Sequence, residues 1–355
     1  MRATGKNSHV SMSITDAQGL WEPEGTYLNT ASYGLPPRPA WDALQAALDD
    51  WRTGRTSWEH WGEATEAARG SFARLIGVDP SSVAVGATVS GLVGLVASSI
   101  PDGSRVLAPD VEFTSTLFPF LVHAHRGVSV RTVPAAQLVQ AIDATVDVVA
   151  LSAVQMATGE VADLAGIAAA AKKHGVLTVV DATQACGWLP LDGASFDVVA
   201  AAGYKWLLSP RGTAYMAIRP ERLGDILPSA AGWYAGEDVH ASYFGPPLRL
   251  ARDARRLDTS PAWHSWVGAA PALELLEQLG VAAIHAHDLR LANRFRYGLG
   301  LEPGNSALVF VDADGAAERL QRAGIRAAVR NGRVRTSWHV YNTDTDVDRA
   351  LDALH

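Results

Sequence analysis

Lysine is scarce in this chain of 355 residues: it occurs only at Lys6, Lys172, Lys173 and Lys205, against 26 arginines. Lys6 lies in the polar start of the chain, and Lys172 and Lys173 close an alanine-rich helical run, where cations suit the helix dipole. Lys205 stands apart, set in FDVVAAAGYKWLLSPRG among apolar neighbours that give no reason for a charge. Upstream, the β-branched run VLTVVD ends in Asp181, with Gln184 three residues on and Lys205 24 positions later. If the two runs are parallel neighbouring strands, carboxylate and amine emerge at one edge. A lysine facing a carboxylate in a crevice suits pyridoxal 5′-phosphate: the amine condenses with the aldehyde, and the carboxylate keeps the pyridine nitrogen protonated. A structural ion pair has the same spacing. GATVSGLVGLVASSI offers a phosphate cradle, in which Gly86-Ala87-Thr88 turns from a strand into a helix and backbone N–H groups with the Thr88 hydroxyl face a dianion. Glycines also serve helix–strand packing, and neither a Walker A sequence nor a Gly-x-Gly-x-x-Gly turn is present.

These residues need a scaffold that brings strand ends together. From about residue 80, short apolar runs (83–86, 105–109, 128–133, 146–152, 176–181, 196–201 and 213–218) alternate with helical ones near 88–99, 115–125, 135–143 and 163–174. Nearly continuous apolar strands between helices predict a doubly wound α/β domain, a mixed, mostly parallel sheet with ligands at the carboxyl ends of its strands. Before it lie the extended segment TYLNTASYGLP and helices at 38–52 and 58–76. After residue 260, helices at 264–279 and 283–299 precede strands at 306–311 and 333–338 and helices at 314–323 and 344–354. The expected division is an N-terminal arm (1–30) joining the small domain, a large cofactor-binding domain (31–260) and a small C-terminal α+β domain (261–355).

Composition narrows the partners. With 37 acidic and 30 basic residues, the net charge is −7, which argues against nucleic acid. One cysteine cannot close an internal disulfide, which points to a reducing, cytoplasmic compartment. No apolar stretch reaches the roughly 18 residues of a membrane helix, so no membrane partner is expected. The pairs His123/His125 and His285/His287 lack a third ligand, and no metal is expected. Arg52, Arg55 and Arg69, on early helices, read as solvated or interfacial, and Trp41, Trp51, Trp58 and Trp61 as packing against a partner subunit.

In their order these segments resemble the class V aminotransferase-like family of fold-type I pyridoxal phosphate enzymes, which includes cysteine desulfurases, kynureninases and isopenicillin N epimerase-like proteins. The similarity runs from TYLNTASYGLPP to RTSWHVYNTDTDVDRAL. The resemblance implies that Ala87, Thr88, Val89 and Tyr204 hold the phosphate, Asp181 and Gln184 the ring, and Lys205 the aldehyde carbon. Phe113 would stack on the ring where desulfurases carry a histidine, and Ser260 would reach the phosphate of the other subunit of a homodimer. Arg335, in a segment with Ser337, Tyr341 and Asn342, would hold the substrate carboxylate, with Asn29, Ala31 and Ser32 also at the substrate.

The departures from the family pattern refine the chemistry. Phe113 stacks but cannot move a proton, and Cys186 reads as a small packed residue, so a persulfide mechanism is disfavoured. Trp233, Tyr234, Tyr243, Phe244 and Trp263 fall where family members build the substrate mouth, though core or interface packing suits them equally. If they line the site, they suit a substrate carrying a quaternary ammonium, because aromatic faces attract cations. The expected activity is β-elimination from a small amino-acid-derived sulfur substrate. The rivals are a kynureninase-like hydrolase, an epimerase, a generic cysteine-conjugate β-lyase, a binding module without catalysis and a nicotinamide oxidoreductase.

Overall fold

The computed structural model describes residues 12–355. Lys6 and the start of the arm lie outside the described residues. The chain opens with α1 (Ile14–Ala17), the two-residue strand β1 (Thr26–Tyr27), α2 (Arg38–Thr53) and α3 (Trp58–Leu75). The alternating part follows as β2 (Val83–Gly86), α4 (Val89–Ser99), β3 (Arg105–Pro109), α5 (Thr114–Leu121), β4 (Ser129–Val133), α6 (Leu138–Ala141), β5 (Val148–Ser152), α7 (Leu164–His174), β6 (Leu177–Asp181), β7 (Val198–Ala202) and β8 (Ala214–Ile218). The last part holds α8 (Trp263–Leu279), α9 (Val281–Gly298), β9 (Leu308–Val311), α10 (Ala316–Arg322), β10 (Ile325–Arg326), β11 (Ala328–Arg330), β12 (Arg333–Ser337) and α11 (Asp344–Leu354).

Seven strands form the main sheet in the order β2-β8-β7-β6-β5-β3-β4. β7, β6, β5, β3 and β4 are parallel, whereas β8 runs against both β7 and β2. Two reversals restore direction, so the carboxyl end of β2 lies at the same edge as those of β6 and β7. Period-two alternation feeds two cores. Val199 and Ala201 of β7 enter one cluster, and Val198, Ala200 and Ala202 the other. Each fully buried valine of this kind contributes about 1.5–3 kcal/mol.

The helices carry local signals that set their ends. α7 begins at Asp163, whose carboxylate accepts from the Gly166 N–H, and ends at Gly175 with φ of +70°, with Lys172 and Lys173 in its last turn. The helix read across 115–125 stops at Leu121 and continues only as a 3-10 turn, Ala124–Arg126. The one read across 135–143 shrinks to α6, and the extended arm forms only β1, paired in parallel with β10. Strands β10 and β11 were not legible in the sequence. β11, β12 and β9 form a separate antiparallel sheet, with Asn331 and Gly332 turning the hairpin at φ of +50° and +76°. Among the described residues, no single helix is long and apolar enough to cross a membrane.

Arg52 and Arg55 are exposed and pair with Asp49 and Asp50, as a solvated face requires. Arg69 is different. It is 2% exposed and donates to Oδ2 of the fully buried Asp258 at 2.6 Å. Asp258 also accepts from the Val85 N–H at 2.8 Å, so the pair ties the 254–260 segment to β2. Position on an amphipathic helix did not disclose this, because the partner lies 189 residues away. Removing one member of a buried pair strands the other charge. Arg69→Met should therefore lower unfolding free energy by about 3–5 kcal/mol in a denaturant titration. A loss under about 1 kcal/mol, as for a surface pair, would contradict this reading.

Candidate active site

The turn after β7 presents Lys205, and two packing constraints fix it. The Tyr204 carbonyl accepts from the Gly34 N–H at 2.9 Å, and the Lys205 carbonyl from the Leu208 N–H at 3.1 Å. A Cβ on Gly34 would fall 2.0 Å from the Lys205 carbonyl oxygen, so this approach requires glycine. Lys205 is 8% exposed, with Nζ 5.6 Å from the centroid of the Phe113 ring and 5.7 Å from that of Tyr204. Burial pushes its amine down to about 8. Asp181 opposes that shift, and Arg335, Arg330 and Arg211 reinforce it.

Asp181 ends β6 beside β7, as the spacing requires if the strands are parallel neighbours. Its Oδ1 accepts from the Thr183 N–H at 2.8 Å and its Oδ2 from the Thr116 hydroxyl at 3.1 Å, which locks its orientation. Gln184 donates through Nε2 to the Ala31 carbonyl at 3.0 Å and accepts at Oε1 from the Trp206 indole at 2.7 Å, leaving one amide hydrogen free. Ala87, Thr88, Val89 and Phe113 line the same cavity as Asp181, Gln184, Tyr204 and Lys205. The Thr88 oxygen caps α4 by accepting from the Gly91 N–H at 3.2 Å, so its own O–H remains available to an anion. Behind Phe113, the buried Glu112 accepts from the Phe113 and Ser152 N–H groups at 2.8 and 2.7 Å, pinning that loop.

Arg335 is 1% exposed and donates through Nη2 to Ser32 Oγ at 2.7 Å, while its Nε and Nη1 are buried without a partner. Burial, with Arg330 alongside, pushes its guanidinium down to about 10. Arg330 donates to the same Ser32 oxygen at 3.2 Å. No carboxylate of the chain forms a salt bridge with either guanidinium among the described residues. Unpaired buried guanidinium nitrogens are costly unless a ligand satisfies them. The arrangement presents an unpaired cationic edge that suits an anion.

The other residues singled out in the sequence have these surroundings. Within the Arg335 segment, Ser337 bonds Ala31 N–H and the Leu28 carbonyl, Tyr341 meets Thr30, and Asn342 donates to the Tyr27 carbonyl. They brace the arm rather than face a ligand. Asn29 lines a separate cleft of about 600 Å³ with Arg326 and Val334. Trp233 and Tyr234 pack with Trp58 and Trp263, outside the Lys205 cavity of their own chain. Burial pushes the Tyr234 phenol up. Ser260 is exposed and lines no cavity with Lys205 in its own chain. Cys186 is buried, with its thiol pushed up by burial. Thr116, Arg211 and Arg330 were missed. Arg211, six residues after Lys205, places its guanidinium 4.8 Å over the Tyr204 ring.

The residues fit pyridoxal phosphate: a helix terminus with a free hydroxyl for the dianion, an aromatic face, a locked carboxylate and a near-neutral amine. The chain matches the family described as Aminotransferase class-V over residues 27–318. It is 30% identical over 354 residues to an uncharacterized aminotransferase, YcbU, of Bacillus subtilis, covering 93% of each chain. The chain belongs to the class V aminotransferases. As a member, it is a pyridoxal phosphate-dependent enzyme. Isopenicillin N epimerase of Streptomyces clavuligerus is 29% identical, over 94% of this chain and 95% of that one. Among solved structures, the fold is similar to that of the cystine C–S lyase C-DES in complex with cysteine persulfide, with a TM-score of 0.84 at 23% identity, over 95% of this chain and 98% of that one.

The neutral amine is the form that condenses with an aldehyde, so capture of pyridoxal phosphate by the cofactor-free protein should accelerate as pH rises. Its midpoint should fall near 8, read from growth of the visible band. A midpoint near the ordinary lysine value, about 10.4, would show that Lys205 is not in this environment.

Proposed function

We propose that the protein is a carbon–sulfur lyase that cleaves a cysteine-conjugate sulfoxide, hercynylcysteine sulfoxide, to give ergothioneine, pyruvate and ammonia. The observation that carries the reading is a buried Arg335 with two unpartnered nitrogens, near enough to disfavour the charge on Lys205, beside a cavity lined by no thiol and no imidazole. The unpartnered edge of Arg335 suits the α-carboxylate bidentately, with Ser32 steadying the fork. The bound cofactor supplies an electron sink for the carbanion at Cα. Lys205 takes the Cα proton, the Cβ–S bond breaks, and sulfur leaves with the electron pair as a sulfenate. The released enamine hydrolyses to pyruvate and ammonia, the sulfenate takes up a proton, and two equivalents of an external thiol reduce the sulfenic acid to ergothioneine, becoming a disulfide with release of water. Phe113 keeps one face apolar and leaves Lys205 to carry the proton.

Two further features support the substrate. Arg330 adds a second guanidinium beside Arg335 on the same Ser32 oxygen, which suits a molecule with more than one acidic group. The cluster of Trp58, Trp233, Tyr243 and Trp263 offers faces to a quaternary ammonium, with ring centroids 5.1–5.5 Å apart around Trp58 and Trp233. Since it lies outside the cavity of its own chain, this role goes with a homodimer in which the cluster and Ser260 serve the partner's site. Exposed Trp41 and Trp51, 52% and 60% accessible, are the apolar surface such a dimer covers. A reducing, cytoplasmic setting suits the free thiol.

Incubation of the cofactor-loaded protein with the sulfoxide should release pyruvate, with turnover unchanged in Cys186→Ala. Arg335→Lys, which cannot form the fork, should raise KM for every amino-acid substrate by roughly tenfold or more. Inversion at Cα without pyruvate would replace this reading with an epimerase. Pyruvate from simple S-alkylcysteine sulfoxides as readily as from the betaine conjugate would make it a generic β-lyase.

A further inference from the structure

The turn that carries Lys205 has another anchor, supplied by the C-terminal part of the chain. His339, two residues past the end of β12, is fully buried. Its Nε2 lies 3.0 Å from the carbonyl oxygen of Trp206, the residue after Lys205, and its Nδ1 lies 2.8 Å from Oδ2 of Asp288 on α9. A carbonyl oxygen only accepts, so a bare Nε2 would set lone pair against lone pair; Nε2 therefore carries a proton. The remaining proton sits on Nδ1 or on Asp288, whose carboxyl burial pushes up. Both placements leave Nε2–H donating to the Trp206 carbonyl.

Gly187 also approaches that carbonyl closely, since a Cβ there would fall 2.4 Å from the same oxygen. The Trp206 indole meanwhile donates to Gln184. Hydrogen bonds joined through the covalent frame of Trp206 thus link Asp288 and His339 to Gln184.

We propose that Asp288 and His339 are a positioning pair that fixes Lys205 and Gln184 through Trp206, so that the C-terminal part of the chain sets where the reacting amine stands. The catalytic consequence rests on Lys205 being the cofactor lysine; the hydrogen-bonded geometry does not. His339 lines no part of the cavity, so its effect passes through the backbone. A displacement of about 1 Å at a reacting group costs up to about a hundredfold in rate.

The test uses the full chain. In cofactor-free protein, a long-range proton–nitrogen spectrum, with His339 assigned by its loss in His339→Gln, should show Nε2 protonated and slow to exchange. His339→Phe, which cannot donate, should slow capture of pyridoxal phosphate by Lys205 roughly tenfold or more. His339→Gln, whose amide reaches the same carbonyl, should recover most of that loss. The imidazole spectrum is read on the wild-type chain and stands even where the Phe variant does not fold. A bare Nε2, wild-type capture in folded His339→Phe, or equal defects in both variants would overturn the proposal. Failure of the wild-type chain to capture cofactor would instead count against Lys205 as the cofactor residue.

Discussion

The site depends on holding one amine at the carboxyl edge of a sheet, out of water, where guanidiniums outnumber carboxylates. Burial and three nearby arginines work against the charge on Lys205, and Asp181 alone favours it. An ammonium in bulk water is a poor nucleophile and no base, so this imbalance turns a common side chain into a reactive one. The same excess of positive charge is what an anionic cofactor and an amino-acid carboxylate would neutralise. The turn must therefore be rigid, and its carbonyls are tied to Gly34, Leu208 and His339.

Those ties come from distant parts of the chain. Gly34 belongs to the extended arm, His339 to the segment after β12, and both converge on a turn between β7 and β8. The arm is itself braced by Ser337 and Asn342. A second tie, between Arg69 and Asp258, holds the 254–260 segment to β2, the strand that leads into the Thr88 turn. The Thr88 turn and the lysine turn are thus each clamped by a residue far away in sequence. Burying such polar clamps carries a desolvation cost, and leaving any one of them unpaired costs more.

Much of the main sheet was legible because its strands are nearly continuous apolar runs, each bounded by turn residues, and because Lys205 is an isolated charge in such a run. Asp181 and Lys205 fall at one edge once β6 and β7 are taken as parallel neighbours, which they are. The short strands β10 and β11 carry too few residues for a pattern, and α5 carries Pro119 in its interior, where proline removes a helical hydrogen bond. Arg69 looked like a surface residue because a helical pattern shows which face is apolar and not which partner lies against it. His339 was passed over for a related reason: nothing local marks a histidine whose partners are a carbonyl 133 residues away and a carboxylate 51 residues away. The aromatic loops were recognised as a group, but packing puts Trp233 and Tyr234 beside Trp58 and Trp263, outside the lining of the Lys205 cavity.

The most direct measurement is borohydride reduction of the protein loaded with pyridoxal phosphate, followed by peptide mapping. Chemistry centred on Lys205 predicts one reduced adduct, on the peptide spanning Gly203-Tyr204-Lys205-Trp206, with loss of the visible band. An adduct on Lys172 or Lys173, or none on a protein that still binds the cofactor, would contradict the account.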